Sequence, residues 1–585
     1  MRKMMKKAIV CVMAVALAMS LSVVAIAKPK EETKNQAVTD ETVNGEESSS
    51  EDLTEELTPE ELEEALAEYE EALKKAQEEN TEEVLVDTPS VFSNPVDSLY
   101  ACNGFRAVIP SAIGTVNYVN AQYSSGRNII YLPASANMKS MTFEFNAQNS
   151  VFINDKGNAI QIQPGEPVNI ARYVSLKKGD GTKVLKLSVD VNGEFKNFDL
   201  YFIQSANIAS MHIKSEDPVN KGLMYVASVK GNASTGSVDL VNPDGSVVYA
   251  GGFSSLKGRG NSTWDCLKKP FQIKLSNSTD LIQTGDDKNK SRTWILLTNA
   301  FDPTMLHNTV AFDMASAMGI LSPDHRPVDL YYDGQYVGSY LLTEKVEAGK
   351  GRVPIDDKGY LLEMDLMYGN QEDYFFTDAM DNTFVVKEPD KVSKEQLSAL
   401  EAYMNEVILS ASNGGISPTT GNSVWDYVDI DSLASMYVFL EMTGNPDMFV
   451  SSTYFYLPKD GKLMAGPVWD FDSAFGVRTD IGAQKTSGIT ANNSWIGYFL
   501  SLPEFRKAVR DAERSKCNNI VKNLLSGGID ADVNLILASQ RMDELLWNQY
   551  NLGIYHESDN YSADVKYMKN FLRNRNSWMY ANIGR

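Results

Sequence analysis

Residues 444 to 476, GNPDMFVSSTYFYLPKDGKLMAGPVWDFDSAFG, constrain this chain more than any other stretch. TYFYL at 453–457 is aromatic and β-prone, Pro458-Lys459-Asp460-Gly461-Lys462 carries turn chemistry, and Leu463 to Trp469 runs back. The spacing predicts a β-hairpin. A hairpin returns the chain to its start, so Asp447 before the outgoing strand is expected beside Asp470 and Asp472 after the return strand. Carboxylates gathered at one place repel each other unless a cation sits among them. Aspartates are hard oxygen ligands suited to Mg2+ or Mn2+. Phosphoryl-transfer sites use one Asp to position a hydroxyl and another to hold metal. An acidic loop beside a buried Trp469 and Phe471, or a calcium clip, would have the same spacing.

At 585 residues the chain has room for two or three domains. Its start reads as a secretory signal over 1–27. Arg2, Lys3, Lys6 and Lys7 precede an apolar run from Ala8 to Val24, and Ala25-Ile26-Ala27 is a small-x-small cleavage site. The expectation is an exported, soluble protein without a lipoprotein cysteine or a transmembrane anchor. Cys102, Cys266 and Cys517 remain after cleavage, too few and too scattered for a disulfide framework or a zinc site. The net charge of −23 belongs mostly to one segment, since residues 31–90 hold 22 acidic residues against 3 lysines. The rest is nearly balanced and has no basic stripe, which argues against nucleic-acid binding.

Residues 28–95 read as an acidic linker, disordered at first and then helical from the capping box Thr58-Pro59-Glu60-Glu61. Over 96–205, short alternating segments such as MTFEFN and KVLKLSVDV recur between turn residues. That pattern predicts an all-β, immunoglobulin-like sandwich, an accessory module whose ligand class, glycan or protein, stays open.

From about 206 the pattern mixes. Gly258-x-Gly260 would let backbone amides approach a phosphate and Arg259 would add charge, although many such pairs are plain turns. In FQIKL, Phe271, Ile273 and Leu275 face one way, leaving Gln272 and Lys274 on the other. Lys268 and Lys269 read as solvent-facing. Asp302-Pro303 reads as the start of a helix that Gly319 ends. Asp333-Gly334 reads as a hairpin turn, and its return strand ends in Glu344. Strands at 359–365 and 384–390 carry Glu363 and Lys387, facing a cleft or a sheet edge. Beyond Lys391 the apolar period is helical.

R-G-N-S-T-W…K-K-P-F-x-I-K-L at 259–275, Y-L-L-E-x-D at 360–365, and G-N-x-D followed by G-P-V-W-D-F-D-x-A-F-G resemble the spore coat protein H (CotH) kinase family, in order, over about 208–580. The resemblance implies an α+β fold: an atypical protein-kinase-like, two-lobed catalytic domain over 206–585, with a β-rich lobe at 206–390 and a helical lobe at 391–585. It implies transfer of the ATP γ-phosphate to Ser or Thr hydroxyls of exported proteins, with Mg2+ or Mn2+. Asp447 would take the hydroxyl proton and Asp470 would hold metal with Asp472 as helper. Lys274, Arg259, Gly258 and Gly260 would hold phosphates, and Glu344 would pair with Lys274 to orient it. Two departures stand out. His307-Asn308 stands where family members commonly carry Arg-Asn, and Ser452 stands where a kinase catalytic loop places a metal-holding Asn. A catalytically weak or inactive binding protein is therefore the competing reading. A hydrolase using Asp470 and Asp472 is a third, for which the two carboxylates lie too close together in sequence.

Overall fold

The computed structural model describes residues 105–585 apart from 112, 146–149, 192, 357, 480–482, 492 and 548–557. The expectations for the leader, the acidic linker and Cys102 lie outside the described residues. Among those described, no helix is long and apolar enough to cross a membrane.

Among the described residues, eleven strands between Arg106 and Gln204 form two sheets. Alternation turns Ala107, Ile109 and Phe143 of one sheet and Ile129, Leu187 and Phe202 of the other into a shared apolar core. The longest pairing is the antiparallel Lys183–Val191 with Glu194–Gln204, and Arg127–Leu132 lies parallel to the latter.

A closed barrel of seven strands follows. Its order is Ala209–Ser215, Ala233–Val241, Val247–Gly258, Phe271–Thr279, Ser291–Leu297, Gln335–Glu344 and His325–Tyr332. The first and last of these pair in parallel, His212 opposite Tyr331, and close the cylinder. Phe271, Ile273 and Leu275 fill its interior with Trp294, Leu330 and Leu342. Asp333 and Gly334 make the two-residue turn with φ +49° and +84°, the left-handed pair that matches strand twist.

The next helix begins later than the sequence suggests. It spans His307–Met318, and Gly319 closes it at φ +79°. Asp302 instead caps the preceding turn, accepting the N–H groups of Thr304 at 2.8 Å and His307 at 2.6 Å. Met305, at φ +59°, breaks the helical path between them.

A second sheet runs Phe375–Thr377, Thr383–Glu388, Tyr360–Met364, Thr453–Leu457 and Met464–Ala465. Strands 360–388, grouped on sequence with the β-rich lobe, thus pair with the hairpin, Tyr360 opposite Leu457. Strand periodicity names a buried face and leaves the partner strand open. The hairpin forms where expected, Phe455 opposite Ala465, but its return strand is only two residues long. Gly466 turns at φ +128° and Pro467 has no N–H to give a ladder.

Helices complete the C-terminal half. Ser393 and Gln396 form a capping box that starts Lys394–Ser412, and Ile430–Thr443 is buried along nearly its whole length. One apolar core joins these helices, the second sheet, and Ile295 and Leu341 on the barrel's outer face. Inside it, Arg575 and Glu441 form a fully buried ion pair. Glu441 also accepts the N–H groups of Thr490 at 3.0 Å and Ala491 at 2.9 Å, which anchors the segment following the hairpin.

Lys268 is not in solvent. Its ammonium is buried and donates to Asp543 and to the Ser339 carbonyl, each at 2.6 Å. Asp543 sits on helix Ile529–Trp547, so this pair bolts that helix to the barrel. The partner lies 275 residues along the chain, beyond the reach of any local pattern. Replacing Lys268 by Met removes the buried cation that faces Asp543 in the interior. Urea denaturation should then show a loss of about 3–5 kcal/mol, whereas a loss under about 1 kcal/mol would match an exposed pair.

Candidate active site

The hairpin does return the acids to one another. Asp447 follows helix Ile430–Thr443, which Gly444 ends in a left-handed cap at φ +57°. Asn445 stitches the two ends together: its Oδ1 accepts the Asp447 N–H at 3.0 Å and its Nδ2 donates to the Asp470 carbonyl at 3.1 Å. Ser452 Oγ donates to Asp470 Oδ2 at 3.4 Å. Burial, then repulsion from Asp470, pushes the Asp447 carboxyl up to about 6, with Arg478 opposing the shift. Asp472 is buried more deeply and hydrogen-bonded to Asp470, which drives its carboxyl well above the usual range.

The barrel-side helix clasps this segment. His307 Nδ1 meets the Asp472 carbonyl at 3.0 Å while its Nε2 lies 3.3 Å from Asp302. Asn308 Oδ1 accepts the Phe471 N–H at 3.0 Å. Phe449, Ser452, Asp470 and Phe475 all have φ between +50° and +70°. Non-glycine residues held left-handed cost on the order of 1–3 kcal/mol each, and such positions gather at functional sites. Here the surrounding hydrogen bonds hold them.

Cations face the acids from two directions. Arg259 leaves the barrel wall and lays its guanidinium 5.3 Å over the Trp469 ring. Burial depresses it, against the pull of Asp470, Tyr454, Asp472 and Glu363, its neighbours in the site. Lys387 pairs with Glu363 at 3.2 Å across the second sheet, and Tyr454 bonds the same carboxylate. Among the described residues, no group of three or more His, Cys, Asp or Glu side chains forms a ready-made cation cage. The donor chemistry nevertheless suits a hard divalent ion, because Asp470, Asp472 and the Ser452 hydroxyl offer only oxygen donors.

Residues 256–579, more than half of the chain, match the family described as CotH kinase protein. The chain belongs to that family. The inner spore coat protein H of Bacillus subtilis (strain 168) is 24% identical over 221 residues. That match takes in 36% of this chain and 58% of the relative, so the chain spans less than two thirds of it. The Helicobacter pylori proinflammatory kinase CtkA, a solved structure, is 12% identical over 53% of this chain and 93% of its own, with a TM-score of 0.20. A likeness that loose carries no argument about the fold.

Within this CotH chain, three sequence expectations change. Lys274 does stand on the outer barrel face and is exposed, but it makes no ion pair among the described residues. Glu344 does not orient it. Glu344 lies opposite Trp294, whose ring fills the interior, while Lys274 lies opposite Thr293, so alternation points the two side chains to opposite faces. Glu344 meets Arg352 at 3.5 Å instead. Gly258 and Gly260 are small for a packing reason. A Cβ on Gly258 would lie 2.0 Å from the Trp264 ring, and one on Gly260 would lie 2.4 Å from Thr263 Oγ1. Asn445, Asn308 and Arg478 escaped sequence reasoning as site residues. Asn445 stands inside the G-N-x-D motif, but its bonding depends on the fold.

Glu344 gives a pH signature. Burial raises it to about 7 despite Arg352, so the native state holds this proton more tightly than the unfolded chain does. Its contribution is therefore lost as pH rises from about 4.5 towards 7. The difference in unfolding free energy between wild type and Glu344→Gln should shift by roughly 3 kcal/mol against wild type between pH 4 and 8. Parallel pH profiles would remove Glu344 from the account.

Proposed function

We propose that this protein is an active kinase that moves the γ-phosphoryl group of ATP to Ser or Thr hydroxyls of exported or surface proteins. The observation that carries the reading is the convergence of Asp447 and Asp470 at the base of the hairpin, opposite Arg259 from the barrel. Asp447, its carboxyl raised towards neutrality, accepts the proton of the acceptor hydroxyl. Asp470 and Asp472 hold a divalent ion, which when bound spreads the phosphate charge. Arg259, clamped over Trp469, binds phosphate oxygens, and exposed Lys274 supplies a second cation. Trp469 and Phe471 close the apolar side of the site, keeping water from the transferred group. We read the chain as exported through its leader, and the N-terminal sheets as an immunoglobulin-like accessory domain. One observation favours the inactive alternative: Ser452, a weaker metal ligand than the kinase asparagine, already bonds Asp470.

The deciding assay uses purified protein, Mg2+ or Mn2+, labelled ATP and a casein-like acceptor. Asp447→Asn and Asp470→Asn should each lower label transfer by at least ~100-fold. Undiminished transfer in both would reject the site. Binding is separable from turnover, because ligands of the native state raise its thermal midpoint. ATP with Mn2+ should raise the midpoint of wild type, and Arg259→Ala should lose that rise to a greater extent than Lys274→Ala. The reverse order would return the phosphate role to Lys274.

A further inference from the structure

A cavity of about 120 Å³ opens between the N-terminal sheets and helix Ile529–Trp547. Strands Lys183–Val191 and Glu194–Gln204 supply one wall, through Lys183, Phe202 and Gln204. Ala538 and Arg541, three residues apart and so on one side of the helix, supply the other. One trapped water needs only roughly 10–15 Å³, and drug-sized ligand pockets start near 300 Å³. The space suits one compact polyatomic group with a few atoms attached.

Strand register fixes which way the lysine points. Lys183 stands directly opposite Phe202, whose ring belongs to the core of these sheets, so the two side chains share a face. Lys183 therefore projects from the core side of its strand, at the strand end where the core gives way to the cavity. Its ammonium meets the Met138 thioether at 3.6 Å, a weak acceptor for a full charge. The helix is held against this wall by Ser539, which shares a hydrogen bond with Ser205 at 2.8 Å, and by Met542 and Leu546 in the core.

The charge left over is positive. Neither Lys183 nor Arg541 forms an ion pair among the described residues, and no acidic side chain lines the cavity. The carboxylates nearest in sequence are engaged elsewhere: Asp180 pairs with Arg127 at 2.7 Å and Glu544 accepts from Gln540 at 3.2 Å. Gln204 spends its amide hydrogens on the Pro133 and Ala136 carbonyls, which fixes the wall. Two cations from separate elements thus border one space without an anion. An ammonium is a point charge with three donors, and a guanidinium fork matches two phosphate oxygens at once. A phosphate monoester carries close to two negative charges and three acceptor oxygens near neutral pH. It answers both cations, whereas a carboxylate answers one.

We propose that this cavity binds a phosphate group, free or as a small monoester, between the Lys183 ammonium and the Arg541 guanidinium. The site shares no residue with the acids at Asp447 and Asp470 and does not depend on phosphoryl transfer.

Phosphorus-31 NMR on the full chain without divalent ions tests it, with glycerol 2-phosphate and inorganic phosphate as probes and chloride holding ionic strength constant. Wild type should broaden the resonance of at least one probe, and the tighter of the two identifies the source of the group. Acetate at equal concentration should not displace it. Arg541→Met, at an exposed position, should weaken binding by at least ~10-fold, or about 1.4 kcal/mol. Lys183→Met should do the same, and Arg541→Lys should restore only part of the loss, because the charge returns without the fork. Arg259→Ala should leave the affinity unchanged, which separates this cavity from the phosphate site proposed beside Asp470. The proposal is overturned if neither probe binds wild type, if acetate competes as well as phosphate, if affinity survives both methionine variants, or if Arg259→Ala abolishes it.

Discussion

Repulsion among Asp447, Asp470 and Asp472 is the constraint around which the C-terminal half is built. Three carboxyl groups are brought into one site, and burial raises the cost of charging Asp447 and Asp472. The surroundings answer in two ways. Backbone and amide donors fix the geometry, chiefly Asn445, Asn308 and His307. Positive charge is then supplied from outside the segment, by Arg259 of the barrel and by Arg478. The balance still favours acid, an excess that a divalent cation would complement.

The barrel, the second sheet and the helices are tied by a few buried charged pairs. Lys268 with Asp543 joins the barrel to helix Ile529–Trp547. Arg575 with Glu441 joins the last helix to the one that ends just before Asp447, and Glu441 also pins Thr490 and Ala491. Such pairs gain little over an apolar replacement, but breaking one is expensive. Their role is to fix relative placement. The junction with the N-terminal sheets is made differently. Tyr331 and Tyr336 of the barrel and Met542 and Leu546 of helix Ile529–Trp547 enter the core of those sheets. Buried Asp329 accepts from Tyr336 and Ser539 at the same place.

Local chemistry made much of this legible. The hairpin at 453–465, the left-handed turn at Asp333-Gly334, the capping box at Ser393 and the interior face of Phe271–Leu275 follow from residue type and spacing alone. Asp302 shows how such reading slips. The same carboxylate chemistry caps a helix or a short turn, and only Met305 in a left-handed conformation reveals which. The glycines at 258 and 260 slip similarly, since a close backbone approach to a phosphate and to a tryptophan ring both require a missing Cβ.

The sequence by itself determined the element types, the hairpin that returns Asp470 to Asp447, and membership of the CotH family, because these rest on short-range patterns. Tertiary structure alone decided the partners. Lys268 found Asp543, Glu344 found Arg352, and strands 360–388 joined the hairpin's sheet and not the barrel. Arg259, and not the Lys274–Glu344 pair, came to face the acids. The physical reason is common to all of these: a charge or a strand edge specifies what kind of partner it needs, and closure of the chain selects which one is within reach.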